Sequence, residues 1–401
     1  MRRILILAVR KLSNGKTKLI RTGTNILNTL SKDIDASGFI GDPSIPQLVW
    51  LALHSCILDK PVSLVLQGPS GSGKSFALET ALKFVPTSNY VLLHGVSEKA
   101  LIYSDDLDFS HKHIVLQEAA GMAEGNGRTF LRQLLSEGEA KYRTVESSDG
   151  GLNAKELHIV GPTGLMMTTT ANSLHPEDAS RMISIGIRED QDHMAKVLMA
   201  QALGSKSSLT DERIQEWRLF SEEALSKPVN VIIPFGGSLA SKLPTSHFRI
   251  ARDFPHVLSL IRTCAHLHRC NRDRAENGEV IATLADYEIV HNLVARPLSE
   301  GLESAVPANV REIIEAVRDL KKEARRSGDP ISQRTLSGYL GRDGSVVSRN
   351  VAKAIELGYL KDNNPGQGRQ SDLKLGELTL GDDKKVLPDV KDIAREELVI
   401  G

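Results

Sequence analysis

Apolar positions along the chain fall into short blocks whose period changes from segment to segment, and those changes delimit the elements. In SIPQLVWLALHSCIL, Leu48, Leu51, Ala52 and Cys56 recur near helical period and Pro46 suits a first turn, which predicts a helix. VSLVLQG then reads as a buried strand, SFALETAL as a helix, NYVLLHG and HIVLQE as strands, RTFLRQLLSEG as a helix and GLMMTTT as a further strand. Short apolar strands alternating with helices predict a parallel, covered α/β sheet over 37–195. The pattern then turns helical through QDHMAKVLMAQAL, DERIQEWRLFSEEAL and RDFPHVLSLIRTCAHLHR, which predicts a helical region over 196–306. Pro307 opens a last unit over 307–376, with a long helix, a breaker at Gly328–Pro330, two short helices and a strand pair.

The flanks differ in charge. Residues 1–36 set Arg2, Arg3, Arg10, Lys11, Lys16, Lys18, Arg21 and Lys32 against Asp33 and Asp35, and read as a basic appendage with one strand. Residues 377–401 carry Glu377, Asp382, Asp383, Asp389, Asp392, Glu396 and Glu397, and read as a loosely held acidic tail. Over the 401 residues, Lys plus Arg and Asp plus Glu both total 50, which excludes a uniformly basic nucleic-acid coat but not a basic face on one domain. No apolar run reaches the ~18 residues of a membrane span. Cys56, Cys264 and Cys270 cannot close a disulfide framework, and the start lacks a signal-peptide cleavage site, so a cytoplasmic protein with no membrane partner is expected.

Gly68-Pro69-Ser70-Gly71-Ser72-Gly73-Lys74-Ser75 matches G-x-x-x-x-G-K-[ST], with a strand before it and a helix after it. The chemistry needs these residue types. Glycines let backbone N–H groups converge on phosphate oxygens, and the helix N-terminus adds positive potential. Lys74 reaches the β/γ phosphates and Ser75 binds Mg²⁺, so ATP with Mg²⁺ is the expected ligand. A second strand ends in Ile114-Val115-Leu116-Gln117-Glu118, where a carboxylate can polarise the attacking water. Glu118 is the candidate base; Gln117 stands at the first acidic position.

Together HIVLQEAAGM, LMMTTTANS and SRMISIGIRED, in that order after the phosphate loop, resemble the AAA+ ATPases. More closely they are similar to the minichromosome maintenance (MCM)-like and self-loading replicative helicases of phages and mobile elements. The resemblance spans roughly residues 37–300 and implies a P-loop core, a pre-sensor β-hairpin and a helical lid. It implies that Asn172 positions the water beside the γ-phosphate. Arg181 would be an arginine finger entering the neighbouring subunit's site in a homo-oligomer, a hexamer in this family. Arg252 would be a second sensor arginine, with Arg249 as its rival. KYRTVESSDGGLNAKELHIVG alternates on both sides of Asp149-Gly150-Gly151 and reads as a hairpin. Its Lys141, Arg143 and Lys155 are the basic candidates for gripping DNA in the ring channel.

The last unit reads as a winged helix. ISQRTLSGYLG and GSVVSRNVAKAIELGYL form a helix-turn-helix pair, and YLKDNNPGQGRQSDLKLG forms strand, wing and strand. Ser345, Ser348, Arg349 and Lys353 would face a major groove, with Arg369 on the wing near phosphates; the same fold also serves protein contacts. Cys264, His266, His268 and Cys270 do not read as a zinc site, because on one helix Cys264 and His268 share a face and His266 and Cys270 lie about 200° away. Two functional classes compete. One is an ATP-driven DNA helicase for replication of a phage, plasmid or integrated element, working beside a separate primase or initiator. The other is a DNA-binding initiator, loader or regulator that uses ATP for assembly without unwinding. A scaffold with a degenerate site is a third reading, drawn from Gln117.

Overall fold

The computed structural model describes residues 17–21, 23, 25–93, 108–117, 126–148, 151–170, 176–179, 181–187, 191–204, 207–245, 249–304, 306–327, 330–364, 366, 370–378, 380 and 386–394. The chain forms two compact units, one of Met1–Gly236 with Asp253–Val294 and the other of Gly237–Arg252 with Ala295–Gly401.

In the first unit, α1 (Ile26–Ala36) and α2 (Ser44–His54) lead into strand β1 (Leu64–Gln67) and helix α3 (Lys74–Lys83). Strands β2 (Tyr90–Leu93) and β3 (Lys112–Leu116) follow, then α4 (Asn126–Glu137), β4 (Glu139–Ser148), β5 (Gly151–Val160), β6 (Thr163–Thr169) and β7 (Ile183–Gly186). Five strands form one sheet in the order β2-β3-β6-β1-β7. Every pairing in it is parallel. Leu64, Val65 and Leu66 of β1 and all seven residues of β6 are buried, as expected of inner strands covered on both faces. Strand β1 lies between the central strand β6 and the edge strand β7, and the carboxyl ends of β1 and β6 open the crevice where open α/β sheets hold ligands.

Strands β4 and β5 leave this sheet and, among the described residues, pair only with each other, from Glu139↔Val160 to Ser148↔Gly151. The hairpin's base is closed where the Gly161 N–H donates to Gly138 O at 2.6 Å.

Helices α5 (Gln191–Leu203), α6 (Asp211–Leu225), α7 (Ile250–Leu267) and α8 (Leu284–Ser304) continue the chain. Trp50 of α2 meets Trp217 of α6 edge-on at 5.5 Å between ring centroids, and both rings are fully buried. Helix α5 is different: it has no buried residue, and Met194, Leu198, Met199 and Leu203 stand exposed.

The described end of the expected appendage is built into the first unit instead. Ile26, Leu27, Leu30 and Ile34 are buried along one stripe of α1. Asp33 accepts from Arg213 Nε at 2.9 Å and from Trp217 Nε1 at 2.7 Å, so its charge is held by α6.

The second unit ends in α9 (Ala308–Ser327), α10 (Gln333–Leu340), α11 (Gly344–Glu356) and an antiparallel ribbon of β8 (Leu360–Asp362) with β9 (Leu373–Leu375). Ser332 caps α10 by accepting from Thr335 N at 3.0 Å, and Asp343 caps α11 by accepting from Ser345 N at 2.8 Å. Val310, Ile314, Val317, Leu336, Val347, Val351, Tyr359 and Leu373 share one core. Leu378 and Leu380 of the expected tail belong to the same core, and Leu387 and Ile393 are buried too. These four residues are therefore held down although the tail's composition is acidic, because burial follows the individual apolar side chains and not the net charge. Among the described residues no helix is long and apolar enough to cross a membrane.

Candidate nucleotide site

The loop between β1 and α3 is shaped by its glycines. Gly71 and Gly73 take φ of 84° and 86°, the left-handed region that disfavours side chains, and a Cβ on either would meet nothing within 4 Å. The loop is thus an open backbone cradle. Gly68 is confined: a Cβ there would lie 2.7 Å from Ile187 O and 2.9 Å from Ser72 Oγ. Its neighbour in space is fixed because Ile187 N donates to Gln67 O at 2.7 Å, just past the end of β7.

Lys74 is buried at the N-terminus of α3. Its ammonium donates to Gly68 O at 2.8 Å and to Pro69 O, with Ser72 Oγ at 3.4 Å. An ammonium held by carbonyls at the mouth of a helix N-terminus is placed to exchange them for phosphate oxygens. Ser75 follows it, half-buried, and Ser70 is exposed on the loop. These residues fit a triphosphate: backbone N–H groups and Lys74 would hold its oxygens, and Ser75 would hold its Mg²⁺.

At the end of β3, Gln117 N donates to Leu93 O at 3.2 Å and the Gln117 amide donates to Glu79 Oε1 at 3.0 Å. Glu118 and Asn172 lie outside the described residues. Arg181 sits at the amino end of the strands, opposite the carboxyl end that carries Lys74, since it precedes β7 while the phosphate loop follows the parallel strand β1. Arg181 Nε donates to Ser136 Oγ at 2.7 Å, and its guanidinium also reaches Glu177 O.

Beside Arg181, Arg128 and Arg132 of α4 both bond Asp178, and Arg132 also bonds Glu177. Burial would raise the Asp178 carboxyl, but the hydrogen bonds of the two guanidiniums win and hold it below the usual carboxylate range. This cluster escaped the sequence reading, although Arg128 and Arg132 stand four apart on a predicted helix and so share a face.

On the hairpin, Lys141 is exposed and pairs with Glu139 at 3.2 Å. The register sets Lys141 opposite His158, Arg143 opposite Glu156 and Lys155 opposite Thr144. The Lys155 position thus belongs to the other parity of the ladder; the side chains of Arg143 and Lys155 lie outside the described residues.

In the second unit Ser345, Ser348, Arg349 and Lys353 are exposed on α11, opposite buried Val347, Val351 and Ala354. Arg369 lies outside the described residues. Arg252 is exposed in the first turn of α7, while its rival Arg249 packs against Gly301 at 3.1 Å from a Cβ built there.

Residues 13–215 match the family described as the MTBMA_p00010 P-loop domain. The chain belongs to this P-loop family. A relative in curated proteins is the uncharacterized protein MTBMA_p00010 of Methanothermobacter marburgensis, 24% identical over 274 residues, which cover 62% of this chain and 31% of that protein. The chain therefore matches under a third of that relative's length. For this P-loop protein, the five-stranded parallel sheet and the glycine cradle agree with the family match, and nucleotide binding is the function they support.

One grouping in the P-loop protein imitates a metal centre. Cys264, His268 and Asp286 are buried and present ligand atoms within 4.8 Å of one another. Their bonds are already committed. The Ile26 N–H donates to His268 Nε2 at 3.0 Å, so the ring proton sits on Nδ1, which faces Cys264 O at 2.8 Å. Arg272 holds both Asp286 oxygens at 2.7 Å, and burial pushes the Cys264 thiol well above its ordinary range. The three groups do not fit a cation. His266, which the spacing set apart from this face, bonds Ala224 O at 2.9 Å, and Cys270 is exposed.

Proposed function

We propose that the chain is an ATP-hydrolysing AAA+ motor of the MCM-like type, acting on DNA during replication of a phage, plasmid or mobile element. The observation that carries the reading is the long hairpin, Glu139–Val160, inserted between the strand that ends at Gln117 and the strand that leads to Asn172, in a sheet bearing a phosphate loop. Among the described residues the hairpin pairs with no third strand, so its length is available to a ligand, and DNA is the ligand that the resemblance implies.

In this reading Lys74 and the loop amides hold the phosphates, Ser75 holds Mg²⁺, and Glu118 takes the proton of the attacking water while Asn172 orients it. Arg181 cannot serve the phosphate loop of its own copy from the opposite end of the strands. It acts on the site of the next subunit, which makes the active form a homo-oligomeric ring, hexameric by resemblance. The last unit, with three helices and a ribbon, is the winged-helix DNA reader that presents Arg349 and Lys353. Residues 196–306 supply the lid, with Arg252 as the second sensor.

The initiator or loader reading draws on the same C-terminal reader. ATP-dependent strand displacement on a forked duplex, with Lys74→Ala as control, separates the two. Unwinding by the wild type alone supports the motor. DNA-stimulated ATP hydrolysis without unwinding supports the initiator or loader.

A further inference from the structure

The end of β3 carries a neutral amide, Gln117, where the chemistry of the site calls for a carboxylate beside the metal. The structure brings a carboxylate to that amide from another element. Gln117 Nε2 donates to Glu79 Oε1 at 3.0 Å across 38 positions of sequence. A carboxylate only accepts, so the amide must turn its NH₂ towards Glu79 and hold that oxygen in place.

Glu79 lies on α3 four residues after Ser75. Residues at i and i+4 share a helix face with Cβ atoms about 5–6 Å apart, so Glu79 stands one turn above the hydroxyl that faces the metal. Glu79 is exposed, and among the described residues its Oε2 makes no hydrogen bond. Mg²⁺ dehydrates reluctantly and keeps several waters, so a carboxylate that accepts from those waters serves without touching the ion.

We infer that Glu79 supplies the carboxylate of the magnesium site, accepting hydrogen bonds from metal-bound water beside Ser75, and that Gln117 holds Glu79 in position. The charge then sits on the helix of the phosphate loop and not at the end of β3, and the Gln117–Glu79 bond ties the two elements together. The inference rests on the nucleotide-site part of the proposed function and is indifferent to whether DNA is unwound.

The test is binding of a fluorescent ATP analogue to the full chain in EDTA and over a Mg²⁺ titration. Glu79→Gln is expected to raise the Mg²⁺ concentration for half-maximal effect by about tenfold or more, the size seen when a group holding a metal's ligands is lost. Binding in EDTA should not weaken, because a negative charge has been removed from beside the phosphates. Glu79→Gln combined with Gln117→Asp returns the carboxylate to β3 and should restore most of the Mg²⁺ response. An unchanged Mg²⁺ response in Glu79→Gln, an equal loss in EDTA, or no recovery in the double variant would each overturn the inference. Failure of the wild type to bind the analogue would remove the nucleotide site and the inference together. The expected Mg²⁺ shift in Glu79→Gln, found in a protein that does not unwind DNA, would overturn the motor and leave Glu79 in its role.

Discussion

The Ile26 N–H donates to the ring of His268 at 3.0 Å, joining positions 242 residues apart at the start of α1 and the end of α7. This bond satisfies a buried N-terminal amide of a helix and fixes the tautomer of a buried imidazole in one contact. Its removal leaves a desolvated N–H with no acceptor. His268→Ala should therefore destabilise the first unit by about 2 kcal/mol, the cost of one orphaned buried donor, read as a lowered urea midpoint. His268→Gln, whose amide oxygen can accept, should recover part of it. A midpoint unchanged in His268→Ala would show that the bond contributes nothing.

Acid should unfold the protein before its carboxylates titrate. Burial lowers the imidazole of His54 to about 3 and those of His113 and His266 to about 4. Each ring gives one N–H to a carbonyl, those of Trp50, Val62 and Ala224, which does not offset the loss of water around the charged form. The unfolded chain protonates them near 6.5, so between there and about pH 4 it binds more protons than the folded one. Stability is complete above pH 6.5 and is lost as pH falls. At 1.36 kcal/mol per unit, each of the three withholds about 2 kcal/mol by pH 5. Equal urea midpoints at pH 7.5 and pH 5 would contradict this.

Lys74→Ala should abolish binding of ATP, because the loop then loses its only buried ammonium while the glycine conformations persist. Equilibrium binding of a fluorescent ATP analogue measures it, with the melting temperature as the check on folding. Retained affinity within a factor of about three, under 1 kcal/mol, would move the phosphate site elsewhere.

Arg181→Ala should bind ATP normally and hydrolyse it about 10³-fold more slowly. Mixing Arg181→Ala with Lys74→Ala should regain activity that neither variant has alone, since one supplies the phosphate loop and the other the arginine. Full hydrolysis by Arg181→Ala, or no recovery on mixing, would sink the assignment in trans.

Asp178 gathers Arg128 and Arg132 beside the Arg181 turn. Asp178→Asn leaves two guanidiniums facing a neutral amide and should lower stability by about 1–3 kcal/mol. ATP binding should be spared, because the Lys74 loop lies at the other end of the strands. Loss of both together would mean that the cluster supports the phosphate loop as well.

Much of this molecule is written in runs of adjacent residues. The strand, Gly68–Ser75 and the helix after it are contiguous, and the glycine conformations that open the loop are local properties of the backbone. The hairpin is legible for the same reason, because alternation on both sides of Asp149-Gly150-Gly151 needs no distant partner. The two helices and ribbon of the last unit follow from their caps, Ser332 and Asp343, and from Gly341, whose φ of 61° ends α10.

What escaped the sequence lies between segments. The basic start and acidic end were read from composition, yet Leu27, Leu30, Leu380 and Ile393 are buried, because individual apolar side chains decide docking and net charge does not. Helical spacing separated His266 and Cys270 from Cys264 and His268, but only packing showed Asp286 and Ile26 N–H closing around His268. The place of Arg181 at the far end of the strands follows from the parallel pairing of β1 with β7, and the meeting of Gln117 with Glu79 follows from how α3 lies over the sheet. Local backbone preference acts over a few residues and is legible in the chain. Hydrogen bonds and charge pairs across tens to hundreds of residues exist only once burial has brought their elements together, and that is what the tertiary structure decided.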